Sequence, residues 1–340
     1  MSKILTSNQR IVAFEQLGHI LGNPDKQIAA LISSAHQYNA WFTPQSAAMA
    51  VSAIAGMLNK NDLEKWITEY STTEDQSMLS VGLILAGNIP IVGFHDILCV
   101  LASGHKALIK LSSQDQKFIP YILGKLIEIE PGFEQQISFI DRLKDFDAVI
   151  ATGSNNTSRY FEYYFSKVPH IIRKNRNSVA VLSGHESPDE LKALGHDIFD
   201  YFGLGCRNVS KLYVPKGYDF STFFESIEEF KSIADHHKYN NNYDYNKSIF
   251  LVNLDRHFDN GFLLLKEDLR IASPLAVVYY EEYDDPGKLG QELLRNESLI
   301  QCAISNFELP LNTIKFGESQ RPGLWDYADG VDTMKFLEEL

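Results

Sequence analysis

Ser80-Val81-Gly82-Leu83-Ile84-Leu85-Ala86-Gly87-Asn88-Ile89-Pro90 is the stretch that decides the fold. An apolar run of strand length breaks at a glycine into a polar Asn-x-Pro, and two more runs of the same kind follow it. They are Lys106-Ala107-Leu108-Ile109-Lys110 and Asp147-Ala148-Val149-Ile150-Ala151, each separated from the last by a segment of helix length. Strand alternating with helix predicts a parallel, doubly wound sheet and an α/β fold. Upstream, residues 1–75 read as helical, with apolar positions at three- and four-residue spacing in Gln27–Ile32 and Ser46–Ala55, and Thr43-Pro44 opening the second of these helices. Doubly wound sheets bind ligands beyond the carboxyl ends of their strands, so the polar residues after the three runs are the candidate binding residues.

Those ends are Gly87-Asn88-Ile89-Pro90, Lys110-Leu111-Ser112-Ser113 and Thr152-Gly153-Ser154-Asn155-Asn156-Thr157. The Asn88 amide can donate to a developing oxyanion, and Pro90 can open the following helix, whose first turn does not need the missing N–H. A turn closed by a local asparagine bond is the plain alternative. Lys110, Ser112 and Ser113 can hold the ribose and phosphate of a nucleotide, although a solvated strand end, taken alone, explains them better. Gly153-Ser154 can offer amides to a pyrophosphate, or serve as an ordinary helix cap.

Phe202-Gly203-Leu204-Gly205-Cys206-Arg207-Asn208-Val209-Ser210-Lys211-Leu212-Tyr213-Val214 places a thiol between a glycine-rich turn and an apolar strand. Backbone amides close to such a sulfur favour the thiolate and can bind an oxyanion. By itself a Gly-x-Gly-Cys describes a packed cysteine more often than a nucleophile. Cys99 and Cys302 complete an odd, widely spaced set without a Cys-x-x-Cys pair, which argues against a disulfide framework or a structural zinc. His236-His237 has no second ligand pair at metal-site spacing, so capping or exposed histidines are expected and no metal is assigned. His95-Asp96 reads as a helix first turn with a dipole-stabilising acid, and the Asn- and Tyr-rich Tyr239–Tyr245 as a loop bordering an acyl tunnel or a partner surface.

With 340 residues, 44% of them hydrophobic, the chain is long enough for two domains. Its formal charge of −13 disfavours nonspecific nucleic-acid binding. No run approaches the ~18 apolar residues of a membrane helix, and the start Met1-Ser2-Lys3-Ile4 lacks an apolar leader core, so a cytoplasmic location is expected.

Taken together, Asn-x-Pro after a strand, Lys-x-Ser at the next strand end, Thr-Gly-Ser and then Gly-x-Gly-Cys resemble the aldehyde dehydrogenase superfamily, most closely the acyl-CoA reductases of the bacterial luminescence fatty-acid reductase type. The likeness runs from about Gly82 to Leu337 and includes Phe316-Gly317-Glu318-Ser319-Gln320 and Tyr327–Thr333, which resemble the loop and return strand that close the catalytic domain. It implies an aldehyde dehydrogenase-like fold: a Rossmann-type parallel-sheet cofactor domain plus an α/β catalytic domain. The implied divisions are 1–78, the helical N-terminal part of the cofactor domain; 79–175, the NAD(P)-binding domain; 176–315, the catalytic domain carrying the cysteine; and 316–340, the closing loop and return segment.

The resemblance further implies Cys206 as nucleophile, and Asn88 with the Cys206 N–H as the oxyanion hole. Lys110 matches the lysine at the adenosine ribose, and Ser154 in Thr152-Gly153-Ser154 the serine at the pyrophosphate. The family's glutamate three positions after that lysine is Ser113 here, which favours NADPH over NADH because two serines beside Lys110 can accept a 2′-phosphate. No acid stands in Ile171–Val181, where hydrolytic relatives carry the water-activating glutamate, and this suits reduction or thiol exchange of an acyl-enzyme. The basic residues of that run are candidates for coenzyme A phosphates or for a solvated face. Arg270-Ile271-Ala272-Ser273-Pro274 replaces the segment whose acid binds the nicotinamide ribose. The implied activity is NADPH-dependent reduction of an acyl-CoA to an aldehyde, with a partner enzyme as one source of the acyl group; self-association is left open. An acyl phosphate reductase and a non-catalytic partner subunit of the same fold are the alternatives.

Overall fold

The computed structural model describes residues 5–70 and 77–340; the helical reading of 1–78 also takes in residues 1–4 and 71–76, which lie outside the described residues. The chain divides into two compact units, the first running to Lys174 and resuming over Pro322–Leu340, the second Asn175–Arg321. The expected closing segment 316–340 is thus shared, its first six residues belonging to the second unit.

The first unit opens with α1 (Ser7–Gly22), α2 (Lys26–Ser34), α3 (Pro44–Met57) and α4 (Lys60–Thr68). Thr6 and Gln9 form a reciprocal capping box at the start of α1, and Thr43 caps α3 with Pro44 in its first turn. Phe14, Leu17 and Leu21 from α1 are buried with Val51 of α3 and Trp66 of α4. The sheet follows as β1 (Ser80–Ile84), α5 (Phe94–Ala102), β2 (Lys106–Lys110), α6 (Phe118–Ile129), β3 (Ile137–Phe139), β4 (Ala148–Thr152), α7 (Asn155–Phe165) and β5 (His170–Arg173). Its order is β3-β2-β1-β4-β5, all parallel, with Ser80 opposite Lys106 and Val81 opposite Ala148. Strand order reverses between β1 and β4, and the crevice beyond their carboxyl ends is the place where such sheets bind ligands. Pro90 does not open α5: a turn intervenes, and the helix begins at Phe94.

The second unit contains β6 (Asn177–Val181), α8 (Pro188–Phe199), β7 (Val209–Pro215), α9 (Ser221–Ser226), α10 (His237–Val252), β8 (Phe258–Asp259), β9 (Leu264–Glu267), β10 (Val277–Tyr283), α11 (Pro286–Arg295), β11 (Ile300–Ile304) and β12 (Thr313–Ile314). Its sheet runs β12-β11-β6-β7-β10-β9-β8 and is parallel except at the β8–β9 edge. Leu212, Val214, Ala180 and Val278 carry its core against Leu194, Ile198 and Phe223.

Two further expectations need correction. Tyr239–Tyr245 is not a loop but the first half of α10. Tyr239, Tyr243, Asn246 and Phe250 are buried at helical spacing, and the Tyr239 hydroxyl donates to Phe262 O (3.0 Å) while the Asn246 amide donates to Leu275 O (2.9 Å). Tertiary anchoring outweighs the weak helix propensity of asparagine and tyrosine. Tyr327–Thr333 forms no strand: a short 3-10 turn (Ala328–Gly330) leads into α12 (Thr333–Glu338) within the first unit.

Candidate active site

Cys206 stands three residues before β7, in a turn closed by Asn208 N–H donating to Gly205 O (3.1 Å). It is exposed, whereas Cys99 and Cys302 are buried. The turn is held from beneath by the buried Asn208 side chain, which accepts from Gly205 N–H (2.8 Å) and donates to Asp197 O (3.1 Å) and Asp200 O (2.8 Å) at the end of α8. The Ser178 hydroxyl donates to the Cys206 carbonyl (2.9 Å) and accepts from Cys302 N–H (3.1 Å), tying the turn to β6 and β11.

The approach to this turn is strained. Tyr201 (φ 53°), Phe202 (φ 61°) and Gly203 (φ 76°) are successive left-handed residues. Each non-glycine residue there costs about 1–2 kcal/mol, and such outliers concentrate at functional sites. Gly203 tolerates this conformation where a side chain would not. A cavity of about 50 Å³ lies behind the turn, lined by Phe202, Gly203, Asn208, Tyr239, Pro274 and Leu275. It has room for a few water molecules, not for a fatty acyl chain.

Asp197, fully buried near the end of α8, accepts from Gly317 N–H (2.6 Å) and Ser319 N–H (3.0 Å) and so fixes the Phe316–Gln320 loop. Burial pushes its carboxyl above the ordinary range although these N–H groups oppose the rise. Arg270 pairs with Asp268 (2.5 Å) and lies over the Tyr279 ring. His236 caps α10, its ring accepting from Tyr239 N–H (3.4 Å).

In the first unit the ends of β1 and β2 come together beyond the sheet. Leu85 N–H donates to Lys110 O (3.1 Å), and Gly87 lies so close to Ser112 that an added Cβ would meet its hydroxyl at 2.5 Å. Asn88 is half-buried; Lys110 and Ser113 are exposed. Lys110 shares a cavity of about 250 Å³ with Leu111, Gln116, Phe139, Ile140 and Asp141, between the ends of β2 and β3. Sequence reasoning passed over Asp141, since β3 is too short to announce itself.

At the end of β4, Thr152 closes the strand, Gly153 N–H donates to Arg173 O (3.3 Å), and the Ser154 hydroxyl accepts from Thr157 N–H (3.3 Å) as the cap of α7. The ordinary cap is therefore present, and the Gly153 amide is already engaged within the sheet. Ile91, just past Asn-x-Pro, is left-handed (φ 61°) and buried, and its N–H donates to the buried Asp115 carboxylate (2.8 Å). Left-handed isoleucine costs of order 1–3 kcal/mol, and a hydrogen bond to a charged group, at about 1.5–3, is large enough to offset it.

The basic residues at and after the end of β5 are already engaged within the protein. Arg173 is buried and forks onto Asp96 at 2.6 and 3.2 Å, donating also to Ala328 O (2.5 Å) and the Thr333 hydroxyl (2.9 Å). Burial alone would lower its pKa, but the Asp96 carboxylate outweighs it and holds the guanidinium above its usual value. Lys174 pairs with Glu162 (2.7 Å), and Arg176 donates to Glu297 O (3.3 Å). Asp96 is the first-turn acid of α5 that the sequence suggested, and it is also the buried ion-pair partner of Arg173. His95 contacts Leu324 O (3.0 Å) and packs near Trp66 and Tyr327.

Among solved structures the chain is similar to aldehyde dehydrogenase 21 from Physcomitrella patens in complex with succinate, with TM-score 0.72 at 12% identity over 99% of this chain and 85% of that one. It is also similar to an aldehyde dehydrogenase from Bacillus cereus in complex with NAD+ (0.61, 13%, 88% and 72%). A third is the NADP-dependent glyceraldehyde-3-phosphate dehydrogenase from Bacillus halodurans complexed with NADP (0.62, 13%, 89% and 74%). The sequence matches no family model and no curated protein. At these identities the likeness defines the architecture: the chain has the aldehyde dehydrogenase fold. No helix among the described residues is long and apolar enough to cross a membrane.

Proposed function

We propose that this protein reduces an acyl thioester, of which acyl-CoA is the first candidate, to an aldehyde through an acyl-enzyme on Cys206. The observation that carries this reading is an exposed cysteine on a strained turn, pinned by a buried asparagine, in a chain with the aldehyde dehydrogenase fold. The Cys206 thiolate attacks the thioester carbonyl carbon, and the displaced electron pair moves onto oxygen. In this proposal the Asn88 amide and the Cys206 N–H donate to that oxyanion, whose collapse expels the coenzyme A thiolate and leaves an acyl–sulfur bond. The loops after β1, β2 and β4 would hold a reduced nicotinamide nucleotide, whose contribution when bound would be a hydride for the acyl carbon. Loss of the Cys206 thiolate from the resulting thiohemiacetal frees the aldehyde and restores the nucleophile. The lack of any carboxylate in Ile171–Val181 supports reduction over hydrolysis, because that segment has no base to activate water.

In this proposal the strand ends of the first unit hold the dinucleotide. Lys110 opens onto a cavity with room for a base and sugar, and Ser112, Ser113, Thr152 and Ser154 are the remaining candidates to hold the nucleotide, the Gly153 N–H being taken by Arg173 O. Ser113, in place of an acid, supports NADPH. One feature favours NADH instead: Asp141 lines the cavity with Lys110, and a carboxylate there accepts from ribose hydroxyls and repels a 2′-phosphate. Asp141→Asn is expected to improve the kcat/KM ratio of NADPH to NADH by roughly tenfold. An unchanged ratio would show that Asp141 does not face the nucleotide.

The reading as a whole is tested by following NADPH and NADH oxidation with short- and long-chain acyl-CoA, and with acyl phosphates, while assaying aldehyde. Aldehyde from acyl-CoA supports it, turnover of acyl phosphate alone replaces it with acyl phosphate reduction, and turnover of neither favours a non-catalytic subunit. In the active case Asn88→Ala should cost about a hundredfold in kcat, on the order of 3 kcal/mol for one oxyanion donor. A loss under threefold would remove Asn88 from the oxyanion hole.

A further inference from the structure

We infer that Asp115 is a positioning residue, which holds the Asn88 turn in register with the loop that carries the candidate nucleotide residues. This rests on the oxyanion role proposed for Asn88 and adds a residue that sequence reasoning did not single out. Asp115 lies between β2 and α6 and is 5% exposed. One carboxylate oxygen accepts from Ile91 N–H (2.8 Å) in the turn after β1; the other accepts from Phe118 N–H (3.4 Å) at the start of α6. Its own N–H donates to Ser112 O (3.2 Å), and the neighbouring Gln114 N–H donates to the Ser112 hydroxyl (3.2 Å). The loop of Ser112 and Ser113 and the turn of Asn88 are therefore joined three times, at Leu85 to Lys110, at Gly87 against Ser112, and at Ile91 to Asp115.

The last of these joints matters most, because it falls on the strained residue. Ile91 is β-branched and left-handed, a conformation that persists only when the surroundings impose it. Phe94 N–H donates back to Ile91 O (3.0 Å), so the same residue sets where α5 begins. Without the carboxylate, Ile91 is free to relax toward negative φ, and the Asn88 side chain three residues earlier is re-aimed. Asp115 touches no reacting atom in this scheme; it acts through the turn.

The test uses the full chain with Asp115→Ala and Asp115→Asn, whose amide oxygen can still accept from Ile91 N–H. A third variant, Asp115→Ser, is too short to reach Ile91 but keeps a polar group beside Phe118. Single-turnover acylation of Cys206 by acyl-CoA is expected to fall 10- to 100-fold in the alanine and serine variants and to stay within about threefold of wild type in the asparagine variant. Iodoacetamide alkylation of Cys206, which needs no oxyanion donor, and nucleotide affinity should change less than twofold. Hydrogen exchange across residues 86–94 should quicken at least about tenfold in the alanine and serine variants. Acylation within twofold of wild type in a folded serine or alanine variant overturns the inference, as does a parallel fall in alkylation and nucleotide binding. If wild type is alkylated but never acylated by acyl-CoA, the proposed function fails separately. Exchange at 86–94 then decides alone whether Asp115 holds the turn, and unchanged exchange rejects it.

Discussion

Replacing Cys206 with alanine is expected to lower aldehyde formation from acyl-CoA by at least about 10,000-fold while leaving the fold intact. The size follows from chemistry: without the thiolate no acyl-enzyme forms, and hydride would have to reach the coenzyme A thioester directly without the covalent intermediate. The fold should survive because the side chain is exposed, and the turn is held by groups other than the thiol, namely the Asn208 side chain and the Ser178 hydroxyl on the Cys206 carbonyl. Circular dichroism and denaturant midpoint check the fold; product aldehyde checks the rate. Cys99→Ala is the control, since that thiol is buried in α5 and burial pushes its pKa well up, leaving it protonated and unreactive. Residual turnover above 1% in Cys206→Ala would remove this residue from the role of nucleophile.

The second large effect concerns stability. Asp96→Ala should destabilise the protein by about 3–5 kcal/mol, because it leaves the buried Arg173 guanidinium without its counter-charge. Arg173 also gathers Ala328 O and the Thr333 hydroxyl, so the loss should fall on the attachment of the C-terminal segment to the first unit. Urea unfolding followed by Trp fluorescence would show a lowered midpoint, with hydrogen exchange rising first in 322–340. Asp96→Ala combined with Arg173→Met should recover part of the loss, since an apolar pair avoids the uncompensated charge. A single-variant loss under 1 kcal/mol would mean that solvent reaches Arg173 and screens it.

Much of this architecture was legible because its signals are local. The runs at β1, β2 and β4 are apolar and buried on both faces, as central parallel strands must be, and each ends in turn chemistry. The edge strands β3 and β5 were not legible: Ile137-Ser138-Phe139 and His170-Ile171-Ile172-Arg173 each contain only two apolar residues. Helix α10 was misread for a related reason. Its buried stripe Tyr239, Tyr243, Phe250 has helical spacing, but asparagine between the stripe positions suggested a loop until partners such as Phe262 O and Leu275 O were known.

The candidate site divides in the same way. Cys206 and the three strand ends lie within short motifs, whereas the groups that hold them depend on contacts across long separations. Asp96 meets Arg173 across 77 residues, and Asp197 meets Ser319 across 122. Asp115 is closer, 24 residues from Ile91, but nothing in the sequence announces a left-handed isoleucine. An aspartate near a helix start is ordinary until its carboxylate is found on the backbone of a different loop.

The most direct test of the central claim is the mass of the protein after mixing with an acyl-CoA in the absence of nucleotide. The account predicts one added acyl group, located on the peptide containing Cys206, absent from Cys206→Ala, and discharged as aldehyde when reduced nicotinamide nucleotide is added. A protein that stays at its unmodified mass, or carries the acyl group on Cys99, Cys302 or a lysine, would contradict it.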